Sequence, residues 1–384
     1  MNILDFISII IYLVLGFVFV FLKNKDKNNM TERNLKLLLC YHLFFGLLYY
    51  YLTDGVSVDS FTYWKHAKDL TINSWNDLFN IGLGTNIIYV INYLPVNIFG
   101  LSYLQLTLMY TFMGFLGFFY LYNSIFILFK SRRIKVIKYF PIILFLPNLH
   151  FWSSAIGKDT IIFFLINVII YASIHRKRAL IFTVLLGIYL IRPHIALFLI
   201  ISFGVAFLIQ NKISFMKKVL GILFFIVCLG FVLPKVASFA NIESLDIKNL
   251  ETFAKTKSEN LSRSESGSRV DTSGYPVYYK VFTFLYRPLF FDAKNIMGLI
   301  VSFENLTLIF LTILTFKSKI KLKFRKADYI LKAFFVFFII GTFVFSFTIG
   351  NLGIMIRMKN MLMPGLLIFI LWVINYNVIN FSEI

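Results

Sequence analysis

The residues from Val58 to Asp69 hold acids, an imidazole and aromatic rings in a chain that is otherwise apolar and basic. Asp54, Asp59, Asp69 and Asp77 fall within twenty-four positions, with Tyr63, Trp64 and His66 among them. A carboxylate or imidazole placed beside a hydroxyl-bearing substrate can act as a general base. Asp59 is the first candidate for that role, Asp54 the second and His66 the third. Asp59 follows a long apolar run, and Tyr63, four residues on, shares its face if a helix begins there. Further along stand Lys158, Arg192, His194, Arg287, Arg357 and Lys359. Cations in an apolar setting suit a polyanionic head group, and arginine binds phosphate through a planar, two-pronged fork. Tyr63 and Trp152 offer flat faces for sugar rings. Ionisable groups at membrane depth are costly, so they usually carry a function or a partner.

Each residue also has an ordinary structural reading. Asp54 and Asp59 can be solvated loop carboxylates. Lys158 and Asp159 can pair with each other at a helix start. Arg192 can snorkel to a membrane boundary, and Arg287 and Arg357 can anchor helices there. His194 reads equally as a hydrogen-bonded turn residue, and Glu304 as a satisfied buried acid or part of a cavity. No Walker loop, GxGxxG motif or His/Cys metal spacing occurs, so no cofactor or metal is indicated.

The elements that must position these groups are apolar runs. Of 384 residues 59% are hydrophobic, 47 are Phe, and the mean hydropathy is +0.79. Runs near the roughly 20 residues that cross a bilayer predict a polytopic all-α membrane protein. Eleven spans are expected, at about 4–22, 37–53, 103–129, 139–151, 159–174, 179–191, 195–210, 219–233, 295–316, 329–349 and 361–376. The segment 4–22 lacks a basic leader and a cleavage site and reads as a retained span. Lys/Arg clusters at 23–36, 130–138, 176–178 and 317–326 mark cytoplasmic loops, giving N-out and C-in. The loops 54–82 and 235–285 then lie outside. In the second, seven Lys/Arg nearly balance six Asp/Glu. Residues 83–100, with Asn86, Asn92, Pro95 and Asn97, read as an interfacial or re-entrant helix. The turns at 151–159 and 192–194 are expected to dip into the membrane, because the runs beside them are short. Asn351 to Lys359 reads as an outer turn.

The whole of 1–384 is expected to form one transmembrane domain, with no repeat and no soluble part. A net charge of +20 is the positive-inside bias of such a protein rather than a sign of nucleic acid. Cys40 and Cys228, both in apolar runs, exclude a disulfide framework.

The chain resembles the Wzy-type polymerases that build O-antigen and capsule from repeat units, within the wider GT-C class of membrane glycosyltransferases. The resemblance lies in the order of several segments. These are Asp59-Ser60-Phe61-Thr62-Tyr63, Asn92 to Ser102 and Phe151-Trp152-Ser153-Ser154 to Lys158, then Arg192-Pro193-His194, Tyr286-Arg287-Pro288-Leu289-Phe290 and Asn351 to Arg357 with Pro364. It implies a multi-pass protein of the bacterial cytoplasmic membrane. Its substrate would be an undecaprenyl-pyrophosphate-linked oligosaccharide on the outer leaflet, and its partners membrane lipid, a flippase and a chain-length regulator. Arginines would hold the pyrophosphate while an acid or imidazole activates the acceptor hydroxyl. One departure is clear: the polymerases often carry Arg-x-x-x-Gly in paired outer loops, and neither Arg192 nor Arg287 has Gly at that spacing. Two rivals are a transferase adding one sugar from a polyprenyl monophosphate and a flippase for lipid-linked oligosaccharide. A flippase would carry charge along a central path and often shows two similar halves. A membrane O-acyltransferase is less apt, lacking the expected early Arg and His near an inner loop.

Overall fold

The structure is a computed structural model. It describes residues 3–23, 29–70, 82–129, 140–210, 214–240, 256, 268–272, 274–316, 324 and 327–381. The loop Asp77, most of 235–285 and the basic clusters at 130–138 and 317–326 therefore lie largely outside the described residues. Among those described, helix is the only regular element, and one isolated bridge pairs Arg269 with Asn351.

The chain divides into two units. The first holds Met1–Leu128 and Ile137–Arg192; the second holds Phe129–Val136 and Pro193–Ile384. In the first, α1 (Ile3–Lys23), α2 (Asn29–Thr53) and α5 (Tyr103–Phe129) are long and apolar, and α3 (Asp59–Asp69) and α4 (Thr85–Tyr93) are short. A π-helical turn, Leu94–Ile98, follows α4. Next come α6 (Pro147–Ser153), α7 (Lys158–Ile174) and α8 (Arg178–Ile191). The second unit holds α9 (Pro193–Leu208), α10 (Phe215–Ala240), α11 (Val277–Tyr286), α12 (Ile296–Phe316), α13 (Tyr329–Thr348) and α14 (Leu352–Phe381). There α13 packs on α9, α11 and α14, and α12 packs on α11 and α14.

Six described helices, α1, α2, α5, α12, α13 and α14, are long and apolar enough to cross a membrane, and the pair α6–α7 raises the number to seven. Their outward faces carry large apolar side chains: Phe6 and Phe21 on α1, Phe303 and Phe310 on α12, all more than half exposed. A surface of that kind is stable only against lipid or protein. The chain is therefore a polytopic helical protein embedded in a membrane.

Two expectations need correction. The run 139–151 is not one span: a 3₁₀ turn, Phe140–Leu144, precedes α6, which bends by 109° into α7. Pro141 and Pro147 lack the N–H that a continuous helix requires. The short apolar runs expected at 179–191 and 195–210 are helices, α8 and α9, of 14 and 16 residues. The segment 351–359 is helix rather than turn. The Asn351 side chain accepts the backbone N–H groups of Gly353 (2.9 Å) and Ile354 (3.2 Å) and so starts α14 nine residues before the expected span.

Candidate functional site

In the first unit, α3 begins at Asp59, and Asp59 and His66 lie on its exposed side. Its first turn is fixed by a buried hydroxyl network. Ser60 Oγ lies 2.9 Å from the hydroxyls of both Tyr49 and Tyr103, and Tyr103 also meets Thr53 Oγ1 at 2.7 Å. Trp64 Nε1 donates to the Leu101 carbonyl at 3.1 Å, and the Asn97 amide donates to the Ala67 carbonyl. Four elements thus hold α3, while Asp59 and His66 stay exposed. His66 lies against the Tyr89 ring at 5.0 Å. Asp54 is exposed and accepts a hydrogen bond from Tyr50 at 2.9 Å.

Tyr63 points the other way and is buried. Its ring covers the break between α6 and α7, where a Cβ at Gly157 would come within 2.7 Å of it. Gly157 has φ +137°, a conformation closed to ordinary side chains. The whole stretch Ser153 to Gly157 is buried, and non-helical backbone at such depth survives only under protein cover. Here the cover is α3 and α5. Trp152, half-buried at the end of α6, meets Tyr49 and Phe151 edge to face.

Just past the break, Lys158 and Asp159 open α7 and do different jobs. Lys158 Nζ donates to Thr85 Oγ1 at 2.6 Å, at the start of α4. Asp159 Oδ1 accepts from Arg192 Nη2 at 2.5 Å, with both side chains 6% exposed. Arg192 is extended (φ −142°, ψ 83°) just after α8, because Pro193 opens the next helix and disfavours a helical residue before it. Asp159 thus meets a residue 33 positions away. A buried guanidinium requires such a partner, since removing one member of a buried pair costs about 3–5 kcal/mol.

The other candidates belong to the second unit. Arg287, at the end of α11, binds Asp292 with two prongs, Nε to Oδ2 at 2.9 Å and Nη2 to Oδ1 at 2.5 Å. Burial alone would raise the Asp292 carboxyl, but the Arg287 fork and the Leu289 N–H hold it below its ordinary value; the same pairing raises Arg287. Lys359 is 1% exposed. Its ammonium donates to the Leu285 carbonyl at 3.0 Å and to Asn305 Oδ1 at 2.5 Å, and Asn305 donates on to the Pro288 carbonyl at 2.9 Å. Lys359 therefore closes the C-terminal end of α11, where carbonyls lack helical donors and favour a cation. Arg357 is half-buried on α14, and His194, half-buried in the first turn of α9, lies near Phe198 and Phe345.

Sequence reading missed several partners. Asp292, five residues after Arg287 across Pro288, was within reach of inspection. The pair His42 and His150 was not: their Nδ1 atoms meet at 2.9 Å, fully buried, 108 residues apart. His150 Nε2 faces the Leu144 carbonyl at 2.8 Å and its ring stacks on Phe118 at 3.9 Å. A carbonyl only accepts, so His150 carries its proton on Nε2 and, when the pair is neutral, His42 donates from Nδ1.

Among the described residues no group of three or more His, Cys, Asp or Glu is placed to hold a metal. Fold and surface define the class as a multi-spanning helical membrane protein. No protein-family model, curated protein or solved structure matches the chain.

Proposed function

We propose that the chain is a membrane glycosyltransferase of the polymerase kind, joining polyprenyl-pyrophosphate-linked oligosaccharide repeat units on the outer leaflet of a bacterial cytoplasmic membrane. The observation that carries this reading is the arrangement in the first unit. α3 carries an exposed carboxylate (Asp59) and an exposed imidazole (His66, against Tyr89), and the Tyr63 ring of the same helix covers the break in an apolar helix pair that Lys158 follows. That combination suits a substrate with a sugar at one end and lipid at the other. The GT-C-like architecture and the N-out, C-in orientation belong to the same proposal. So does the holding of carrier phosphate by arginine, which rests on the resemblance.

The reaction asks for one base. The acceptor hydroxyl oxygen bonds to the anomeric carbon of the other lipid-linked saccharide. Its proton passes to the Asp59 carboxylate, and the bond from that carbon to the pyrophosphate oxygen breaks. Polyprenyl pyrophosphate leaves with the electron pair and is already a stable anion, so the nucleophile is where assistance counts.

One observation favours the alternative, transfer of one sugar from a polyprenyl monophosphate. Arg287 is already matched by Asp292, and a half-neutralised arginine suits a smaller anionic charge better than a pyrophosphate.

The test is Asp59→Asn in a cell that depends on the chain for its surface glycan. The substitution keeps size and polarity and removes basicity. Transfer should fall by about 10²–10⁴-fold, the usual worth of a general base. Short, unextended glycan on a gel at normal protein level is the expected result, with Asp69→Asn near wild type. Wild-type chain lengths from Asp59→Asn would remove it as the base.

A further inference from the structure

The second helix presents a face unrelated to the candidate site. Arg33, Lys36, Leu37 and Cys40 recur at helical spacing along α2, so one stripe changes from cationic to apolar within two turns. Together with Glu32 and with Phe17 of α1 they line an open groove of about 490 Å³. That volume falls in the range of small-molecule sites. Its origin is visible in the packing of α1 on α2. Gly16 lets α1 press directly onto Leu39, and one residue further Phe17 and Cys40 line a gap. At the charged end Lys36 is bridged to Glu32 at 2.5 Å, with Lys36 still 41% exposed, and Arg33 is exposed.

We propose that this groove binds one anionic phospholipid, its phosphate between Arg33 and Lys36 and an acyl chain along Phe17, Leu37 and Cys40. The charge gradient argues for that occupant. The apolar wall alone would accept any lipid tail, and the cations alone any phosphate. Only a molecule with both parts fills the stripe from end to end. A positive end next to an apolar wall is also where an anionic head group gains most from nearby Lys and Arg. Glu32 acts as the lipid's competitor for Lys36.

Cys40, exposed at the apolar end, provides the readout. In a Cys228→Ser background the purified full chain has one thiol. Its alkylation by N-ethylmaleimide in a neutral detergent is followed by intact mass while phosphatidylglycerol, phosphatidylcholine or glycerol 3-phosphate is added. Phosphatidylglycerol should slow alkylation, and the other two should not. Arg33→Gln and Lys36→Gln should each raise the half-protecting phosphatidylglycerol concentration by about five-fold. Glu32→Gln should lower it, which keeps the proposal testable if a cation variant folds poorly. Equal protection by phosphatidylcholine would show a groove for tails alone and overturn the anionic lipid. Protection by glycerol 3-phosphate would show a site for free phosphate and overturn the lipid. Unshifted curves in both the cation variants and Glu32→Gln would overturn the head-group contacts.

Discussion

At the scale of single residues, the charges inside this protein come with partners. Arg192 has Asp159, Arg287 has Asp292, and Lys359 has Asn305 and the Leu285 carbonyl. A low dielectric makes this a requirement rather than a convenience, because an isolated buried ion costs more than any nearby packing returns. The Arg192–Asp159 pair is the most informative to break. Arg192→Ala and Asp159→Ala should each destabilise the protein by about 3–5 kcal/mol, and the double substitution should cost much less than their sum. Thermal unfolding in detergent measures this. Additive losses would mean that each residue is held by other groups. Arg192→Lys should recover only part of the loss, since an ammonium lacks the planar fork. If Arg192 also meets carrier phosphate, glycan transfer in Arg192→Lys should fall further than stability does.

At the scale of elements, the short pieces position the candidate site. α3 is only 11 residues long and stays in place through Ser60, Trp64, Ala67 and the ring of Tyr63. Gly157 is the hinge of that arrangement. Gly157→Ala sets a side chain against Tyr63 in a backbone conformation closed to it and should cost about 1–3 kcal/mol, read as a lower melting temperature and weaker transfer. Gly55, at φ +72° with open space around it, is the control: alanine there should cost about 1 kcal/mol or less. Equal effects at the two positions would mean that Tyr63 does not bear on the break. The start of α3 at Asp59 was legible in the sequence, and so was the disturbance at 151–159, because apolar runs too short to cross announce a break. The 109° bend and the early start of α14 were not legible. The first depends on Gly157 in a left-handed conformation under a covering helix, the second on a single asparagine side chain turning back on its own backbone.

At the scale of the molecule, composition alone established a helical membrane protein, since little else explains 59% apolar residues with phenylalanines facing outward. The number of spans was harder to read. Hydropathy registers an apolar run, whereas crossing depends on whether the run continues as one helix, and α6 to α9 are pieces of 7, 17, 14 and 16 residues. Partners distant in sequence, such as Asp159 with Arg192 or His42 with His150, were equally hidden, because nothing local signals them. The central proposal is chemical, that this chain elongates a lipid-linked glycan. Its most direct measurement is reconstitution of the purified protein in vesicles supplied with polyprenyl-pyrophosphate-linked oligosaccharide as the only saccharide. The expected result is a ladder of longer lipid-linked glycans with release of polyprenyl pyrophosphate, absent with Asp59→Asn. No elongation by folded wild-type protein, with transfer of a single sugar when a polyprenyl monophosphate donor is added instead, would contradict it.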